Sequence, residues 1–554
     1  MGWEPEPSII RLIRNLALQN AMLYEGEGKV GSVMGRIMGT LPELRSHAKD
    51  LSALIGRHVS EANALTKSEG ISHVRSLLEE QAPELLEKKK HVKKTGLPDL
   101  PNPVDKPVFR FAPNPNGPLS FGHSRGLVIN AEYAKQLNGE LILRFDDTDT
   151  TVKPPMIEAY EMIMHEQEWL CGFKAQRVVI ASERMEEYHE YAQKLLANGY
   201  GYVCQCSSED FREFRKSKEN CPCRNQENSE SESLWEMMND ENGFQPGDAV
   251  VRVKTDMALP NPALRDWPAL RIQTNAHPRV GNKWRVWPLL DFQSAVEDHL
   301  QGVTHIIRGK DLMDSTRKQK WLYEHFGWNY PETIYWGRVK VHEFGGFSTS
   351  GMKEDIKQGT FTGWDDIRLP TLGSLKRRGI RAEALQSFWI EIGLTQKDIS
   401  VPLTTLFSHN TSIIDPSSPR LSFVRDAIEI ELKGEYPAHI SLDAHPSENL
   451  GKREIDIDNH IFLEKSDLGD VRLKDFCDIS KDGVVESIER SDNRNIVHWV
   501  SGGHKITLLT PEGKEILKSE GILENHQLSI GTIVQLERIG YAKLEEDKLV
   551  FLHA

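Results

Sequence analysis

Residues 106–149 read KPVFRFAPNPNGPLSFGHSRGLVINAEYAKQLNGELILRFDDTD, and this stretch decides the fold. The apolar run 107–111 has the length of a buried strand, and the run 113–118, rich in proline, asparagine and glycine, forces a turn after it. A helix is predicted from about Gly122, and Asn138-Gly139 is typical of a left-handed helix end. A second apolar run ends in Arg144-Phe145-Asp146-Asp147. The pattern predicts a β-α-β unit.

The start of the predicted helix is a candidate phosphate site. The first N–H groups of a helix lack partners within it, and the helix dipole places positive charge at that end. Gly122 lets the backbone approach a ligand, and His123 adds an imidazole donor beside it. A bare Gly-His pair is more often part of a simple turn, so the assignment depends on the whole stretch.

That stretch resembles the HIGH region of class I aminoacyl-tRNA synthetases, in the glutamyl/glutaminyl subgroup. There a strand carrying R-F-x-P leads through P-x-G-x-L into H-x-G-H, and the next strand ends in R-[FI]-[DE]-D-T-[DN]. Residues 120–123 take the HIGH positions, with Ser120 in place of the first histidine. The resemblance implies a Rossmann-type catalytic domain in which His123 is catalytic. It also implies an ATP site formed by Pro113, Asn114, Pro115, Asn116, Gly117, Pro118, Leu119, Ser120, Phe121, Gly122 and His123.

Residues 287–292 and 303–311 resemble the motifs that line the amino-acid pocket in the second half of that domain. The resemblance implies that Asp146 binds the substrate ammonium and that Arg110 and Arg308 bind its side-chain carboxylate. Two departures are clear. Leu290 stands where a tyrosine commonly contacts the ammonium, and Ser294 stands where relatives often have histidine. Ammonium binding must then depend more heavily on Asp146 and on neighbouring carbonyls or water.

Residues 347–353, FSTSGMK, lie where the family has its mobile KMSKS-type loop. The resemblance implies that Ser348, Ser350 and Lys353 meet the triphosphate of ATP and that Lys353 is catalytic. A plain surface loop would have the same composition. The following run GWDDIRLPTL at 363–372 strengthens the match, and the basic residues at 376–378 and 381 form a candidate patch for a tRNA backbone.

Six cysteines include two C-x-C pairs, at 204–206 and 221–223. In a cytoplasmic protein, clustered cysteines indicate metal before disulfide. Four thiolates could hold one tetrahedral structural Zn²⁺ with no open position for catalysis, and four unligated thiols are the alternative. The predicted zinc ligands are Cys204, Cys206, Cys221 and Cys223.

The composition describes a multidomain globular protein of 554 residues, with 38% hydrophobic and 27% charged residues. No apolar run is long enough for a membrane span and the N-terminus lacks a signal-peptide core, so we expect a cytoplasmic protein with no membrane partner. The net charge of −14 argues against indiscriminate nucleic-acid binding. A locally basic surface for RNA is still compatible with it.

The pattern of periodicity predicts five regions. The apolar spacing before residue 100 is helical, and the lysine-rich run 88–94 in it is either a solvated helix end or a binding site. Short strand-like runs after residue 415 predict β-barrels. Together with the resemblance, which implies the role of each region, the regions are a helical N-terminal appendage (1–100), the first half of the catalytic domain (104–201), an inserted acceptor-stem-binding domain (202–286), the second catalytic half with the KMSKS-type loop (287–414) and a β-barrel anticodon-binding domain (415–554).

The resemblance implies a glutamyl-tRNA synthetase activity, and the all-β C-terminal region is similar to the archaeal and eukaryotic type. Glutamate would be activated by ATP with Mg²⁺ and then transferred to tRNA(Glu), by a protein expected to be a monomer. The sequence leaves open whether tRNA(Gln) is also a partner. Alternatives are a glutaminyl-tRNA synthetase and a catalytically inactive, synthetase-like RNA-binding protein.

Overall fold

A computed structural model describes residues 5–86, 96–341, 343, 347–490 and 493–554. It contains two compact units, Met1–Lys94 and Thr95–Ala554. The boundary precedes the predicted one at residue 100, because Leu100 is buried in the core of the second unit and Tyr133 donates a hydrogen bond of 2.7 Å to the carbonyl of Pro98. The lysine-rich run 88–94 lies outside the described residues.

The N-terminal unit is helical, as predicted. Its apolar core includes Ile13, Ile37 and Leu51, which are fully buried, one from each helix. Gly70, at a φ of +85°, kinks the longest helix. Pro83–Leu85 forms a single 3-10 turn after it. The helices are α1 (Pro7–Leu23), α2 (Val30–Thr40) and α3 (Ala48–Gln81).

The second unit opens with a three-stranded parallel sheet in the order β1-β2-β3. Asn138, at a φ of +49°, ends the first crossover helix. A Cβ on Gly139 would lie 2.3 Å from the carbonyl of Pro107, so this close turn requires glycine. The elements are β1 (Val108–Phe111), α4 (Phe121–Gln136), β2 (Glu140–Phe145), α5 (Ile157–Cys171), β3 (Arg177–Ile180) and α6 (Met185–Ala197).

An antiparallel sheet in the order β4-β5-β6-β7 interrupts this parallel architecture. Its buried face shares one apolar core with α6, including Trp235, Trp267 and Trp287. The elements are β4 (Gly201–Cys204), α7 (Ser208–Ser217), α8 (Asn228–Asn239), β5 (Val250–Val253), β6 (Pro268–Ile272) and β7 (Val286–Pro288).

The parallel architecture then resumes beside β1. The N–H of Thr304 donates to the carbonyl of Val108 at 3.0 Å, which brings the next strand against the free edge of β1. Parallel pairs β8–β9 and β10–β11 follow. The elements are α9 (Leu290–Leu300), β8 (His305–Gly309), α10 (Met313–Phe326), β9 (Glu332–Trp336), β10 (Val339–Val341), α11 (Thr349–Lys357), α12 (Leu372–Arg378), α13 (Ala382–Ile392), β11 (Ile399–Val401) and α14 (Leu403–Ile414).

The C-terminal region is all-β, as predicted. The strands are β12 (Arg420–Leu421), β13 (Phe423–Arg425), β14 (Ala427–Glu431), β15 (His439–Asp443), β16 (Lys452–Asp456), β17 (His460–Glu464), β18 (Val471–Leu473), β19 (Asp478–Ile479), β20 (Val485–Ser487), β21 (Asn495–Val497), β22 (His504–Glu512), β23 (Glu515–Leu523), β24 (Ile533–Leu536), β25 (Gly540–Glu545) and β26 (Lys548–His553).

The largest sheet of this region has the order β12-β24-β25-β26-β22-β23-β13. Its two edge strands, β12 and β13, are separated in sequence only by Ser422. Residues 420–425 therefore join both edges and close the sheet into a barrel. The strands between β13 and β22 form smaller sheets around a second apolar core. Among the described residues, no helix is both long and apolar enough to cross a membrane.

Candidate active site

A cavity of about 220 Å³ lies at the carboxyl ends of β1, β2 and β8. This edge is where an open parallel sheet binds ligands, because crossover helices begin there. The cavity contains five of the predicted residues. These are Arg110, Gly122, His123, Asp146 and Arg308.

The first turn of α4 forms one wall of the cavity. Ser120, which replaces the first histidine of the motif, caps this helix: its hydroxyl accepts a hydrogen bond from the N–H of His123 at 3.4 Å. In return, Nδ1 of His123 accepts from the N–H of Ser120 at 3.2 Å. A neutral imidazole that accepts through Nδ1 carries its proton on Nε2. Although the His123 side chain reaches solvent, desolvation by the surrounding protein atoms and the nearby charge of Lys153 lower its pKa, which favours this neutral form.

Gly122 leaves the helix end open to a ligand. Its N–H donates to none of the described residues, and a Cβ there would meet nothing closer than the Ser120 hydroxyl, at 3.7 Å. An unpaired N–H at a helix N-terminus suits an anionic oxygen.

The turn 113–119 is held in place by backbone contacts. The carbonyl of Pro113 accepts from the N–H of Asp146 at 3.1 Å, and that of Pro115 accepts from Met156 at 2.8 Å. The N–H of Leu119 donates to Glu166 at 2.7 Å. The turn therefore has a defined shape without a ligand.

Residues 349–353 of the segment 347–353 form the start of α11, and only residues 347–348 precede the helix, which corrects the prediction of a loop for most of the segment. Ser348 caps α11, and its hydroxyl accepts from the N–H of Gly351 at 3.1 Å. Because a side-chain oxygen satisfies that N–H, Ser-Thr-Ser-Gly can start a helix despite its weak helix propensity.

The predicted phosphate-binding side chains of this turn lie outside the cavity. Ser348, Ser350 and Lys353 do not line it, and Lys353 is exposed. The turn nevertheless lies against the 113–118 segment, since a Cβ on Gly117 would be only 2.7 Å from Thr349. The structure thus brings the two candidate ATP segments against each other.

A buried ionic network holds Asp146 at the cavity wall. Oδ1 of Asp146 accepts from Arg144 and from Gln293, each at 2.8 Å. Its Oδ2 accepts no hydrogen bond from the described residues. One carboxylate oxygen is thus fixed while the other is free for a cationic group of a ligand.

Arg144 and Asp298 anchor this network, and sequence reasoning assigned a role to neither. Arg144 is fully buried and donates to Asp298 at 2.7 Å and to Ser294 at 2.8 Å. Arg110 donates to the same oxygen of Asp298 at 3.1 Å. Although burial opposes its charge, Arg110 and Arg144 lower the pKa of Asp298. Arg144 belongs to the motif quoted above, so the sequence could have indicated it. For Asp298 the only signal in the sequence is that it follows Ser294 by one helical turn.

Arg308 has several neutral partners and no anionic one among the described residues. Its Nη2 shares its two protons among three acceptors, the hydroxyl of Thr316 at 2.6 Å, Oε1 of Gln319 at 2.8 Å and the hydroxyl of Tyr330 at 2.9 Å. Its Nε is buried and has no partner among the described residues. Burial lowers the pKa of Arg308, as expected for a charge without a counter-ion.

The charges around the cavity do not balance. Three arginines, at 110, 144 and 308, face two aspartates, at 146 and 298. The surplus of one positive charge suits a ligand with one net negative charge. The two departures from the family pattern also lie here: Leu290 is 48% exposed on the lining, and Ser294 accepts from Arg144.

The four predicted zinc ligands converge in the inserted sheet. Their sulfur atoms all lie within 4.8 Å of one another, with Sγ–Sγ distances of 3.9 Å for Cys204–Cys221 and 3.7 Å for Cys206–Cys223. Tetrahedral zinc with Zn–S bonds of about 2.3 Å places sulfurs about 3.8 Å apart, so the arrangement fits. A hydrogen bond from Cys204 lowers the pKa of Cys221 to about 5, and burial raises that of Cys206 to about 11.

Comparisons with known proteins find the same family along most of the chain. Residues 107–416 match the family model described as tRNA synthetases class I (E and Q), catalytic domain, and residues 418–500 match its anti-codon binding domain. A glutamate–tRNA ligase of Methanothrix thermoacetophila is 42% identical, covering 97% of both chains. One from Archaeoglobus fulgidus is 41% identical over 98% of this chain and 99% of its own length.

Proposed function

Because this chain belongs to the class I tRNA synthetases of the E and Q group, we propose that it is a glutamate–tRNA ligase of the archaeal type. It would join L-glutamate to the 3′ end of tRNA(Glu) in two steps that consume ATP. The observation that carries the choice of amino acid is the surplus positive charge of the cavity. Glutamate has one more negative charge than glutamine, which is the alternative substrate within the family.

In the first step, an oxygen of the glutamate α-carboxylate attacks the α-phosphorus of ATP. A P–O bond forms, the bond to the β-phosphate oxygen breaks, and pyrophosphate leaves with its electron pair. The free oxygen of Asp146 binds the α-ammonium, while Arg110 and Arg308 bind the side-chain carboxylate. These contacts orient the attacking oxygen, and orientation supplies most of what the protein must contribute.

Negative charge on the phosphates is stabilised by donors at the helix ends. The N–H of Gly122 and Nε2–H of His123 are placed to donate to phosphate oxygens, and Ser348, Ser350 and Lys353 approach from α11. Preformed donors of this kind favour the transition state because they need no reorganisation. Mg²⁺ enters with ATP and shields part of the triphosphate charge.

In the second step, a terminal ribose hydroxyl of tRNA attacks the carbonyl carbon of glutamyl-adenylate. The ester bond forms, AMP leaves, and the hydroxyl proton goes to a phosphate oxygen or solvent. The inserted sheet guides the single-stranded 3′ end, and the C-terminal β region binds the anticodon loop, whose bases are open to such a surface.

We also propose that Cys204, Cys206, Cys221 and Cys223 bind one structural Zn²⁺. The support is the Sγ separation and the exclusively thiol donor set, which zinc favours in closed structural sites. The metal would cross-link β4 to the turn at Cys221 and supply no catalytic group. The protein would work in the cytoplasm as a monomer.

ATP–pyrophosphate exchange tests the proposal most directly. Glutamate should support exchange and glutamine should support it at least roughly 10²-fold less efficiently. Charging of purified tRNA(Glu) and tRNA(Gln) with glutamate then defines the tRNA partners. Equal activation of both amino acids would contradict the assignment to glutamate, and activation of neither would favour an inactive RNA-binding relative.

A further inference from the structure

Gln319 of α10 lies beside Arg308 in the cavity and is only 1% exposed. Its Oε1 accepts from Nη2 of Arg308 at 2.8 Å and from the hydroxyl of Tyr330 at 2.7 Å. Its Nε2 is buried and donates to none of the described residues. One end of this amide is therefore fully used, and the other end is free.

The orientation of the amide is fixed by its neighbours. Arginine has only donors, so the atom of Gln319 that faces Arg308 must be the oxygen. The opposite orientation would put the NH₂ group against the guanidinium. Tyr330 agrees with this orientation of the amide. Its oxygen faces Nη2 of Arg308 at 2.9 Å, and its hydroxyl proton is directed at Oε1 of Gln319. The unpaired Nε2 is thus a consequence of the network.

Two buried donors then lack partners in the same cavity wall, Nε of Arg308 and Nε2 of Gln319. Buried polar groups are nearly always hydrogen-bonded, so an unpaired pair in a cavity indicates a ligand that accepts from both. A carboxylate has two oxygens and only accepts, whereas a carboxamide offers one oxygen and an NH₂ group that would oppose a donor.

We propose that Gln319 is a specificity-determining residue, whose Nε2 donates to the side-chain carboxylate of bound glutamate next to Nε of Arg308. The inference rests on the proposed glutamate–tRNA ligase function and adds a neutral residue to its charged ones. Arg308 supplies the charge that attracts a carboxylate. Gln319 supplies the second donor that an amide substrate cannot satisfy.

Replacing Gln319 with glutamate provides a sharp test, since Gln319→Glu keeps the shape and the acceptor but turns the free donor into an acceptor. The new carboxylate pairs with Arg308 and repels the substrate. We expect the KM for glutamate in ATP–pyrophosphate exchange to rise roughly 10²-fold, with a smaller change for glutamine, whose NH₂ group can donate to the new oxygen. The KM for ATP should stay within about twofold.

Gln319→Leu removes the donor without adding charge. It should raise the KM for glutamate by roughly tenfold and lower the preference for glutamate over glutamine by a similar factor. The matched control is Gln167→Glu in α5. Gln167 is also buried, but both ends of its amide bind backbone atoms of residues 173 and 175. This control should leave the preference unchanged.

The outcomes separate the two claims. If wild-type protein prefers glutamate but folded Gln319→Leu keeps the same preference, the role of Gln319 is refuted and the proposed function stands. If wild-type protein does not prefer glutamate, the proposed function fails first. Should Gln319→Glu unfold, the leucine variant alone decides, because it buries no additional charge.

Discussion

At the scale of single residues, the two ring nitrogens of His123 have different roles. Nδ1 completes the cap of α4 by accepting from Ser120, which leaves Nε2–H for a ligand. The cap fixes the tautomer, and the lowered pKa keeps the ring neutral. In the proposed function, this donor would face a phosphate oxygen of ATP in a direction that the cap has already set.

We expect His123→Ala to lower the rate of glutamyl-adenylate formation by roughly 10²-fold, because a donor to the transition state is lost. Pyrophosphate exchange measures this rate. His504→Ala, at an exposed histidine of β22, is the control and should have wild-type activity. Wild-type exchange in folded His123→Ala would remove this side chain from the site.

The charge of Arg308 lacks a counter-ion among the residues that the structure describes. Leaving such a charge unpaired costs on the order of 3–5 kcal/mol, which a bound carboxylate relieves. Arg308→Gln should raise the KM for glutamate by roughly 10²–10³-fold and narrow its advantage over glutamine. Amino-acid-dependent pyrophosphate exchange checks both values.

The control for Arg308 is Arg317→Gln in α10, where Arg317 is 54% exposed and pairs with Asp314. Exposed pairs contribute little, so this variant should keep the wild-type preference. An unchanged preference in Arg308→Gln would mean that another group recognises the side-chain carboxylate.

At the scale of elements, α5 supports the turn 113–119 and the start of α12 through one carboxylate. Glu166 of this helix accepts from the N–H of Leu119, at the end of the turn 113–119, and from the N–H of Gly373 in α12. Burial raises the pKa of Glu166 to about 7, against the lowering effect of these two bonds and of Lys376. One carboxylate thus joins three elements and titrates near neutral pH.

Glu166→Gln should flatten the pH dependence of stability. A glutamate whose pKa is higher in the folded state contributes stability below its unfolded pKa, and this contribution is lost as pH rises through the folded pKa. Between pH 5 and 8 the free energy of unfolding of wild-type protein should therefore fall relative to Glu166→Gln, by about 1–2 kcal/mol.

Denaturant unfolding at both pH values measures that difference. The exposed neighbour Glu168, 48% accessible, provides the control Glu168→Gln, which should follow wild type. A parallel pH dependence for wild type and Glu166→Gln would show that Glu166 titrates in its ordinary range.

The four cysteines of the cluster lie at the end of β4 and in the turn around Cys221. We expect purified protein to contain about one equivalent of zinc and Cys221→Ser to release it, because structural sites need all four ligands. Elemental analysis measures the metal. Cys171→Ser, outside the cluster, should retain it. Loss of zinc should reduce tRNA charging more than adenylate formation, and wild-type protein without metal under reducing conditions would contradict the proposal.

The sequence predicted elements better than contacts. Residues 106–149 carry strong local signals, a proline-rich turn and a glycine helix end, and these describe the β-α-β unit well. Asp298 and Gln319 carry no local sequence signal. Asp298 binds Arg144, which is more than 150 residues away in the chain, and Gln319 binds Arg308, which is more than ten residues away. The first turn of α11 has the sequence of a loop, because its cap, Ser348, belongs to a run of Gly, Ser and Thr residues.

At the scale of the whole molecule, acidic residues outnumber basic ones, which gives the chain a net charge of −14. The basic run 376–378 offers less to a tRNA backbone than its composition indicates. Arg377 pairs with Glu545 at 2.7 Å, and Arg378 is buried, with a hydrogen bond to the carbonyl of Leu552. These two arginines hold α12 against the C-terminal strands, which leaves Lys376 and Arg381 as the exposed cations of that patch.

The separate core of the N-terminal unit has a testable consequence. Because every residue of the cavity belongs to the second unit, removal of residues 1–94 should leave pyrophosphate exchange within about twofold of wild type. Any loss should be confined to the KM for tRNA. Steady-state pyrophosphate-exchange assays on the shortened chain measure adenylate formation, and charging assays measure the KM for tRNA. A large loss of exchange would show that adenylate formation needs the helical unit.

The closed β12–β13 barrel has a consequence for synthesis on the ribosome. Residues 420–425 emerge before both of their pairing partners, which lie beyond residue 515, and β26 at residues 548–553 is an interior strand of the same sheet. Such distant pairing is slow, because a long loop must be ordered before the contacts form. While the smaller sheets of residues 427–500 can fold first, this barrel should be the last part of the nascent chain to resist proteases.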